Sequence, residues 1–349
     1  MTKNVKNINN LFFVGEDVAA QDNDTCILCD PTSSSLKRMQ NATTQNTFEL
    51  QVVILTHLSE ANLHLLYFLP QGITLYMSQE LFLLLQKMQR FSLIAPIPDM
   101  GKIIPYNFPQ QIGSFKVTAY KNDDSLYGSL ALTIGQKSTT IGYANAFDLY
   151  GGHKKRTKKW IKKMATANLT TFITSNAMSG KRSPQLPTNE NGIQKNFAKQ
   201  LKSSKDEPFK VLLSPWNPER LHRFNETCSE LDKKLVLPAA IASLLKFFFP
   251  MDNVYCYISE KSSTKKSSAS ELTRVTWKQI QDKVSDFVLY NDKQPNFIDP
   301  SIRVKKPIEN HSWLSDCNFG HTITPLSDSD MTTLKSRLNI TEFVYCESF

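Results

Sequence analysis

Apolar residues in the first half of the chain recur mainly in short runs separated by turn residues, a pattern typical of β-strands. These runs are NLFFVG, DTCILCDP, ELQVVILTH, GITLYMS, GSFKVTAYK, SLALTIG and STTIGYANAF. One helix interrupts them: residues 78–91 carry apolar side chains at helical spacing, and Ser78 is placed to cap the N-terminus. Strands, a helix and further strands predict an α/β fold built in layers.

The second half predicts helices that alternate with strands. A basic helix, HKKRTKKWIKKM, precedes the strand LTTFITSNAM and a proline-containing loop at residues 179–192. The helix IQKNFAKQLKS, the strand PFKVLLSP, the helix NPERLHRFNETCSEL and the strand KKLVLPAA then predict a βαβ-like unit. Residues 259–271 are polar and of low complexity, which predicts an exposed loop, and DFVLYND, SDSDMTTLKSRLN and TEFVYCESF predict a final strand, helix and strand.

Composition narrows the class of protein without changing this architecture. Of 349 residues, 40% are hydrophobic and 21% are charged, as in globular proteins, and no apolar stretch is long enough to span a bilayer. The first ten residues have no apolar signal core, so we expect a cytoplasmic protein without a membrane role. Six scattered cysteines exclude a disulfide scaffold, and CILC, which has no second pair, is expected to place its cysteines in the core.

The charge of the chain favours a polyanionic partner. There are 41 basic and 32 acidic residues, a formal net charge of +9. The predicted basic helix concentrates this charge, and we expect its cations to contact RNA phosphates while Trp160 stacks on a base. The alternative is a solvated basic face with Trp160 and Ile161 packed inward. The residues of the predicted RNA-binding helix are Lys155, Arg156, Lys158, Lys159, Trp160, Lys162 and Lys163.

A candidate site begins where the run ELQVVILTH delivers His57 to a turn before a helical pattern. Metal hydrolases often place their first ligands at such a turn, but the following positions hold Ser59, Ala61 and Asn62, which are poor ligands or none. Ser59 has no G-x-S-x-G context and no evident base, so it is not expected to be a nucleophile. His57 is therefore either a metal ligand or a neutral, hydrogen-bonded histidine at a strand end.

The order of these segments resembles the metallo-β-lactamase fold with a β-CASP insertion, most closely the ribonuclease J family. In that family a strand ends in H-x-H-x-D-H, which supplies most ligands of two metal ions, and ILTHLSEANL keeps only the first histidine. NDDSLYGSLALTI, TTIGYANAF and EFVYCES resemble the later ligand motifs. The resemblance implies a degenerate metal site with positions at His57, Ser59, Ala61, Asn62, Asp124, Ala146 and Glu347.

Further matches extend the resemblance over roughly residues 8–349. Asp30 of ILCDPT falls on an early aspartate of the family, and Ser175 of TTFITSNAM replaces another. LLSPWNPERLHRF resembles the stretch that opens the β-CASP insertion and keeps Asn217 and Arg220. CNFGHTITP keeps His321, whose position in the family belongs to the β-CASP face that holds a nucleotide phosphate, so convergence of Asn217, Arg220 and His321 would form a phosphate pocket. A retained structural turn around Gly320 is the alternative to a phosphate pocket.

The resemblance implies a four-layer αββα metallo-β-lactamase fold with a reduced β-CASP insertion. Residues 1–194 and 306–349 would form the metallo-β-lactamase-like domain, and residues 195–305 the insertion. Such a chain would be a pseudoenzyme without a cofactor that binds RNA or a ribonuclease-family protein as a regulatory or scaffold subunit. Whether it forms homo- or hetero-oligomers stays open.

Two alternatives to this function remain. An active hydrolase or phosphodiesterase would use one divalent ion, zinc or manganese, held by His57, Asp124 and Glu347. A dinuclear zinc site is not expected, because it needs several converging imidazoles and carboxylates and Ala146 cannot coordinate a metal. A diverged protein with no nucleic-acid role is the other alternative.

Overall fold

The computed structural model describes residues 6–8, 11–14, 17–32, 34–37, 49–124, 126–175, 190–203, 209–211, 213, 216–257, 272–290, 326–340 and 342–345. The chain divides into two compact units. Unit 1 comprises Met1–Gln86, Pro96–Pro184 and Ile323–Phe349, and unit 2 comprises Lys87–Ala95 and Gln185–Thr322. The predicted family-based division at residues 194 and 305 stays a prediction.

Unit 1 contains two mixed sheets. The strands of the seven-stranded sheet follow chain order: β1 (Lys6–Ile8), β2 (Phe12–Val14), β3 (Val18–Gln21), β4 (Thr25–Cys29), β5 (Leu50–Ile54), β6 (Ile73–Met77) and β7 (Lys102–Ile103). Neighbours are antiparallel from β1 to β4 and parallel from β4 to β7. Strands β4 and β5 are buried on both sides, which explains why their apolar runs are continuous rather than alternating.

The second sheet of unit 1 has six strands. Their order is β18 (Glu342–Tyr345), β12 (Thr171–Thr174), β11 (Thr139–Ala144), β10 (Leu130–Gln136), β9 (Phe115–Lys121) and β8 (Gln110–Ile112). The pairs β18–β12 and β12–β11 are parallel, and the others are antiparallel. Both sheets contribute to one apolar core, in which Ile27 and Val52 of the first pack with Val117 and Leu132 of the second.

Three of four helices in unit 1 begin at a serine that caps the N-terminus, namely Ser59, Ser78 and Ser327. The helices are α1 (Glu60–Leu66), α2 (Gln79–Arg90, of which the residues from Lys87 onward are assigned to unit 2), α3 (Lys154–Ala165) and α8 (Asp328–Leu338). The prediction for residues 78–91 is confirmed, because Ser78 Oγ accepts a hydrogen bond from the Leu81 N–H at 3.0 Å. A second core cluster joins α3 and α8 to strands of the six-stranded sheet, through residues such as Met164, Leu334 and Phe172.

Unit 2 is built on a parallel sheet. Its order is β13 (Phe209–Val211), β17 (Phe287–Tyr290), β14 (Lys234–Leu237), β15 (Tyr255–Tyr257) and β16 (Thr273–Val275), and every neighbouring pair is parallel. The helices are α4 (Glu190–Ser203), α5 (Pro218–Glu230), α6 (Ala239–Phe248) and α7 (Trp277–Asp282), followed by a 3-10 turn at Val284–Asp286. The predicted βαβ-like unit is confirmed by β13, α5 and β14, since parallel strands require such crossovers.

The protein is therefore a mixed α/β protein with several sheets, and the predicted α/β class is confirmed. Cys26 and Cys29 of CILC are both buried in β4, as expected, and burial raises the pKa of the Cys26 thiol to about 12. In the described part of the chain, no helix combines the length and the apolar character needed to cross a membrane. The predicted loop at residues 259–271 lies outside the described residues.

Candidate functional site

His57 lies just beyond β5 and is buried in a polar network within unit 1. Its Nδ1 atom is 3.5 Å from Asp30 Oδ1. Asp30 also accepts hydrogen bonds from the Thr56 N–H at 2.8 Å, from the Thr56 hydroxyl and from the Tyr143 hydroxyl at 2.9 Å. A carboxylate with this many donors is firmly oriented, so Asp30 fixes the position of the imidazole.

The other side of His57 faces Asn145, which precedes the predicted site position Ala146. Asn145 Nδ2 lies 3.3 Å from Nδ1 and 3.2 Å from Nε2 of the imidazole, so it contacts the ring between its two nitrogens. Asn145 Oδ1 accepts a hydrogen bond from the Ser175 hydroxyl at 2.7 Å. Asp30, His57, Asn145 and Ser175 thus form a continuous polar chain, which we call the His57 network.

The residues that replace the family's ligands after His57 have structural contacts of their own. Ser59 is the N-cap of α1, and its Oγ accepts a hydrogen bond from the Asn62 N–H at 3.1 Å. Asn62 Nδ2 donates to the His57 carbonyl at 3.1 Å. Both side chains therefore stabilise the turn that carries His57. Ala61 lies in α1, but its side chain is outside the described part.

Asp124 approaches the same site from the loop between β9 and β10. Its side chain is 1% exposed, and Oδ1 accepts a hydrogen bond from the Leu126 N–H at 3.0 Å. The Leu130 N–H donates to the Thr56 carbonyl at 2.7 Å, which joins the start of β10 to the His57 turn. Ala146 is linked to this loop, because its carbonyl accepts a hydrogen bond from Asn122 Nδ2 at 2.6 Å.

The structure therefore brings five predicted positions together, namely His57, Ser59, Asn62, Asp124 and Ala146. Of the other two predicted positions, Ala61 is described only by the backbone of α1, and Glu347 lies outside the described residues. The gathered residues do not fit a dinuclear zinc site, because an amide nitrogen contacts both imidazole nitrogens and an alanine stands where a bridging carboxylate is needed. Within the described ranges, no three histidine, cysteine, aspartate or glutamate side chains converge as metal ligands.

Two pKa shifts reflect the enclosure of this site. Burial raises the pKa of Asp124 to about 7, against a weaker opposing effect of His57. Burial lowers the pKa of His57, but the Asp30 carboxylate, with a smaller effect of Asp124, raises it above its ordinary value. The sequence hypothesis of a neutral, hydrogen-bonded histidine is thus right about the hydrogen bonding, whereas the neighbouring carboxylates favour the protonated imidazole.

We expect the free energy of unfolding to decrease as the pH rises from about 4 to about 8. Asp124 in the unfolded chain loses its proton near pH 4, and the folded protein keeps it until about pH 7. Protonation then favours the folded state, and this contribution is lost by up to about 1.4 kcal/mol per pH unit through the window. The raised pKa of His57 acts in the same direction.

Urea unfolding at about pH 5 and about pH 8 measures this effect. Asp124→Asn, which removes the titrating carboxyl, should flatten the pH dependence, whereas Asp282→Asn at an exposed position of α7 should leave it unchanged. An Asp124→Asn variant with the full wild-type pH dependence would show that this carboxyl is not the source.

Helix α3 presents the predicted basic residues to solvent but not the tryptophan. Lys155, Lys158, Lys159 and Lys162 are exposed, and Lys163 and Arg156 are half-buried. Trp160 is 1% exposed and its ring stacks on that of Phe172, with centroids 5.7 Å apart and an interplanar angle of 5°. The prediction that Trp160 stacks on an RNA base is therefore wrong, because the indole is enclosed in the core.

The predicted phosphate-binding residues of unit 2 lie at the start of α5. Asn217 is the N-cap, and its Oδ1 accepts a hydrogen bond from the Arg220 N–H at 3.0 Å. Both side chains are buried. His321 lies outside the described residues, so convergence of the three on a phosphate stays a prediction.

Comparison with solved structures identifies a shared fold. The chain is similar to a protein of unknown function from Enterococcus faecalis V583, with a TM-score of 0.64 and 14% identity over 95% of this chain and 90% of that chain. The two proteins share a fold. At this identity the likeness says nothing about activity.

Two further solved structures match parts of the chain. They are the metallo-β-lactamase fold protein YhfI from Bacillus subtilis (17% identity, TM-score 0.35, 47% of this chain and 65% of that chain) and Zn²⁺-bound PqqB from Methylobacterium extorquens (12%, 0.35, 48% and 61%). At a TM-score of 0.35 neither likeness defines the fold of this chain. No family model matches the sequence, and no curated protein matches it significantly.

Sequence reasoning missed two members of the site, Tyr143 and Asn145. Tyr143 lies near the end of β11 and Asn145 directly follows the strand, whose apolar pattern identified the strand but not the partners of these polar side chains. Their partners, Asp30 and His57, are 113 and 88 residues away along the chain. The available signal was the position of Asn145 beside the degenerate ligand position Ala146.

Proposed function

We propose that this chain is an RNA-binding protein with a degenerate metallo-β-lactamase fold, in which the exposed face of α3 contacts the phosphates. The observation that carries the proposal is the set of exposed lysines on this one helix, which includes Lys154. Four of them form what we call the basic face: Lys155, Lys158, Lys159 and Lys162. The helix has no acidic residue in its first turn. Positive charges placed so close together repel one another, and an anionic partner relieves this repulsion.

The fold supports this proposal through the arrangement of unit 1. Two sheets share a core, and α3 and α8 pack on the six-stranded sheet, an arrangement consistent with an αββα sandwich. In the proposal, unit 2 with its parallel sheet corresponds to the reduced β-CASP insertion. The motif order of the ribonuclease J family supplies the link between this fold and RNA.

The His57 network supports the degenerate character of the site. Asp30 lies beside Nδ1 of the imidazole, and Asn145 lies near both ring nitrogens. Ser59 and Asn62 stabilise the turn that carries His57. In the proposal, hydrogen bonds between protein side chains hold the loops that metal ions would hold in an active relative. The chain then binds RNA without hydrolysing it.

Charge favours RNA over a ribonuclease partner for this surface. Lysines on one helix face neutralise several phosphates of a flexible strand at once, and each contact releases about one counterion. A protein partner would need a matching acidic surface and would gain less from simple charge neutralisation. We therefore propose RNA as the ligand of the basic face. A protein partner such as a ribonuclease would be indicated if the wild-type protein had no salt-dependent affinity for RNA.

The triple variant Lys155→Gln/Lys158→Gln/Lys162→Gln tests the proposal. We expect weaker binding to every RNA sequence and a slope of log affinity against log salt that is lower by about 2–3, because each lost phosphate contact removes roughly 0.7–0.9 from the slope. Fluorescence anisotropy with a labelled RNA at a series of salt concentrations measures both quantities.

A matched control is available on α4, where three exposed lysines have nearly the same helical spacing. Lys195→Gln/Lys199→Gln/Lys202→Gln removes the same charge from a different surface and should leave the slope close to that of wild type. Equal effects of the two triple variants would reduce the proposal to non-specific attraction by net charge. Wild-type protein without salt-dependent RNA affinity would contradict it and leave a protein partner for the basic face.

A further inference from the structure

The loop between β7 and β8 carries an exposed aromatic side chain next to α3. Phe108 is 69% exposed, the highest exposure among the large aromatic side chains of the described residues. Single exposed apolar side chains are common on protein surfaces and need no function by themselves. The position of Phe108, rather than its exposure alone, distinguishes it.

Phe108 follows a residue that contacts α3 directly. Lys163 Nζ donates a hydrogen bond to Asn107 Oδ1 at 2.7 Å. Asn107 is fixed on the other side, because its N–H donates to the Ala119 carbonyl of β9 at 2.8 Å, and it adopts a left-handed conformation with φ 60°. Consecutive Cα atoms are about 3.8 Å apart, so the backbone of Phe108 is held beside the C-terminal half of α3.

Cations border this loop from two elements. On α3, Arg156, Lys159 and Lys163 follow one another at helical spacing along the side that reaches Asn107. On β9, Lys121 Nζ lies 4.7 Å from the centre of the Tyr106 ring, and its charge is offset by an ion pair with Glu80, so the cations of α3 dominate this side of the loop. Burial and the hydrogen bond to Glu80 raise the pKa of Tyr106, and the charge of Arg156 opposes them, so Arg156 also acts on this loop.

An aromatic ring amid cations matches the chemistry of an unpaired nucleotide. The base offers a π-face that stacks on an aromatic side chain, and the phosphates on either side of it pair with lysine and arginine. In a duplex the bases are already stacked on one another, so a surface phenylalanine has no base to contact.

We propose that Phe108 stacks on an unpaired base of an RNA strand whose phosphates follow the basic face of α3, so that the ligand is single-stranded RNA. This inference rests on the proposed function and specifies its substrate class. It assigns to Phe108 the stacking role for which Trp160 is unsuited, because the indole is enclosed.

Other exposed aromatic side chains fit this role less well. Tyr150 precedes α3, but it is only 41% exposed and its hydroxyl donates to Asp330 Oδ1 at 2.7 Å, which ties its ring to α8. Phe68 is 65% exposed and lies beyond α1, where its ring contacts that of His64 at 4.9 Å. Phe68 therefore serves as a matched control, with the same side chain and nearly the same exposure.

The experiment measures the affinity of the full chain for a labelled single-stranded RNA of about 12 nucleotides and for the same RNA as a duplex. Phe108→Ala should weaken single-strand binding by about 5- to 100-fold, the usual effect of losing one stacked base. Duplex affinity and the salt slope should stay unchanged, because no charge is removed. Phe108→Trp should retain the affinity, Phe108→Leu should lose it, and Phe68→Ala should bind as wild type.

Each other result has a definite meaning. If wild type binds RNA with a salt-dependent affinity and Phe108→Ala changes nothing, the stacking inference is overturned while the proposed function stands. Equal losses for single strand and duplex, or equal losses for Phe108→Trp and Phe108→Ala, also overturn it, because neither pattern is that of an aromatic stack. If wild type shows no salt-dependent RNA affinity, the proposed function and this inference fail together.

Discussion

Replacing Trp160 with alanine is expected to lower the free energy of unfolding by about 3–5 kcal/mol, the range for removing a large aromatic side chain from a core. The indole stacks on Phe172, packs edge-on against Phe147 at 5.5 Å, and donates its Nε1–H to Asn122 Oδ1 at 3.2 Å. The truncation leaves both a cavity and an unsatisfied buried amide oxygen. Urea unfolding followed by circular dichroism measures the loss.

Two variants of the same helix control for this effect. Trp160→Phe keeps an aromatic ring and should cost clearly less than alanine, and Lys159→Ala at the neighbouring exposed position should change stability by less than about 0.5 kcal/mol. Trp160→Phe should also retain the RNA affinity and salt slope of wild type. A Trp160→Ala variant that is as stable as wild type would contradict the burial of the indole.

The second large effect is expected for Asp30→Ala, which we predict to destabilise the protein by about 3–5 kcal/mol. The side chain of Asp30 is 6% exposed and stands beside His57. Its removal leaves a buried imidazole without its counter-charge and takes the acceptor from the Thr56 N–H and the Tyr143 hydroxyl. Thermal and urea unfolding at constant pH measure the change.

Asp30→Asn is the matched control, because it keeps the size and one carbonyl acceptor, while it removes the charge and turns the other acceptor oxygen into a donor. We expect it to cost less than Asp30→Ala and to lower the pKa of His57, which a titration of the histidine ring by NMR would record. If Asp30→Ala leaves the stability unchanged, the His57 network does not hold the loops of unit 1, and that support for a degenerate site is lost.

The sequence predicts the elements of this protein well and the contacts of its site only partly. Long periodic segments such as α2 and α3, and continuous apolar runs such as β4 and β5, are local signals that tertiary contacts then reinforce. The prediction for Trp160 was wrong because it relied on the cationic residues around the tryptophan rather than on the spacing of the apolar residues. Thr157, Trp160, Ile161 and Met164 have the i, i+3, i+4, i+7 spacing of a buried stripe, and all four are buried.

The other contacts that the sequence did not predict were missed for a different physical reason, because they join residues that are far apart in the chain. The left-handed turn at Asn107, which positions Phe108, depends on hydrogen bonds to β9 and to α3. The His57 network likewise joins the ends of strands that are distant in the chain. Local patterns identify each strand, but the pairing of polar side chains is decided only when the sheets pack.

The parallel pairing of β18 with β12 has a consequence for the order of folding. Residues Thr171–Thr174 pair with Glu342–Tyr345, and the entire segment Gln185–Thr322 is translated between them. At about 5–20 residues per second, a ribosome needs many seconds to cover that distance, during which β12 is an open sheet edge. Nascent chains stalled before β18 should therefore be more prone to aggregation and chaperone capture than chains released after it.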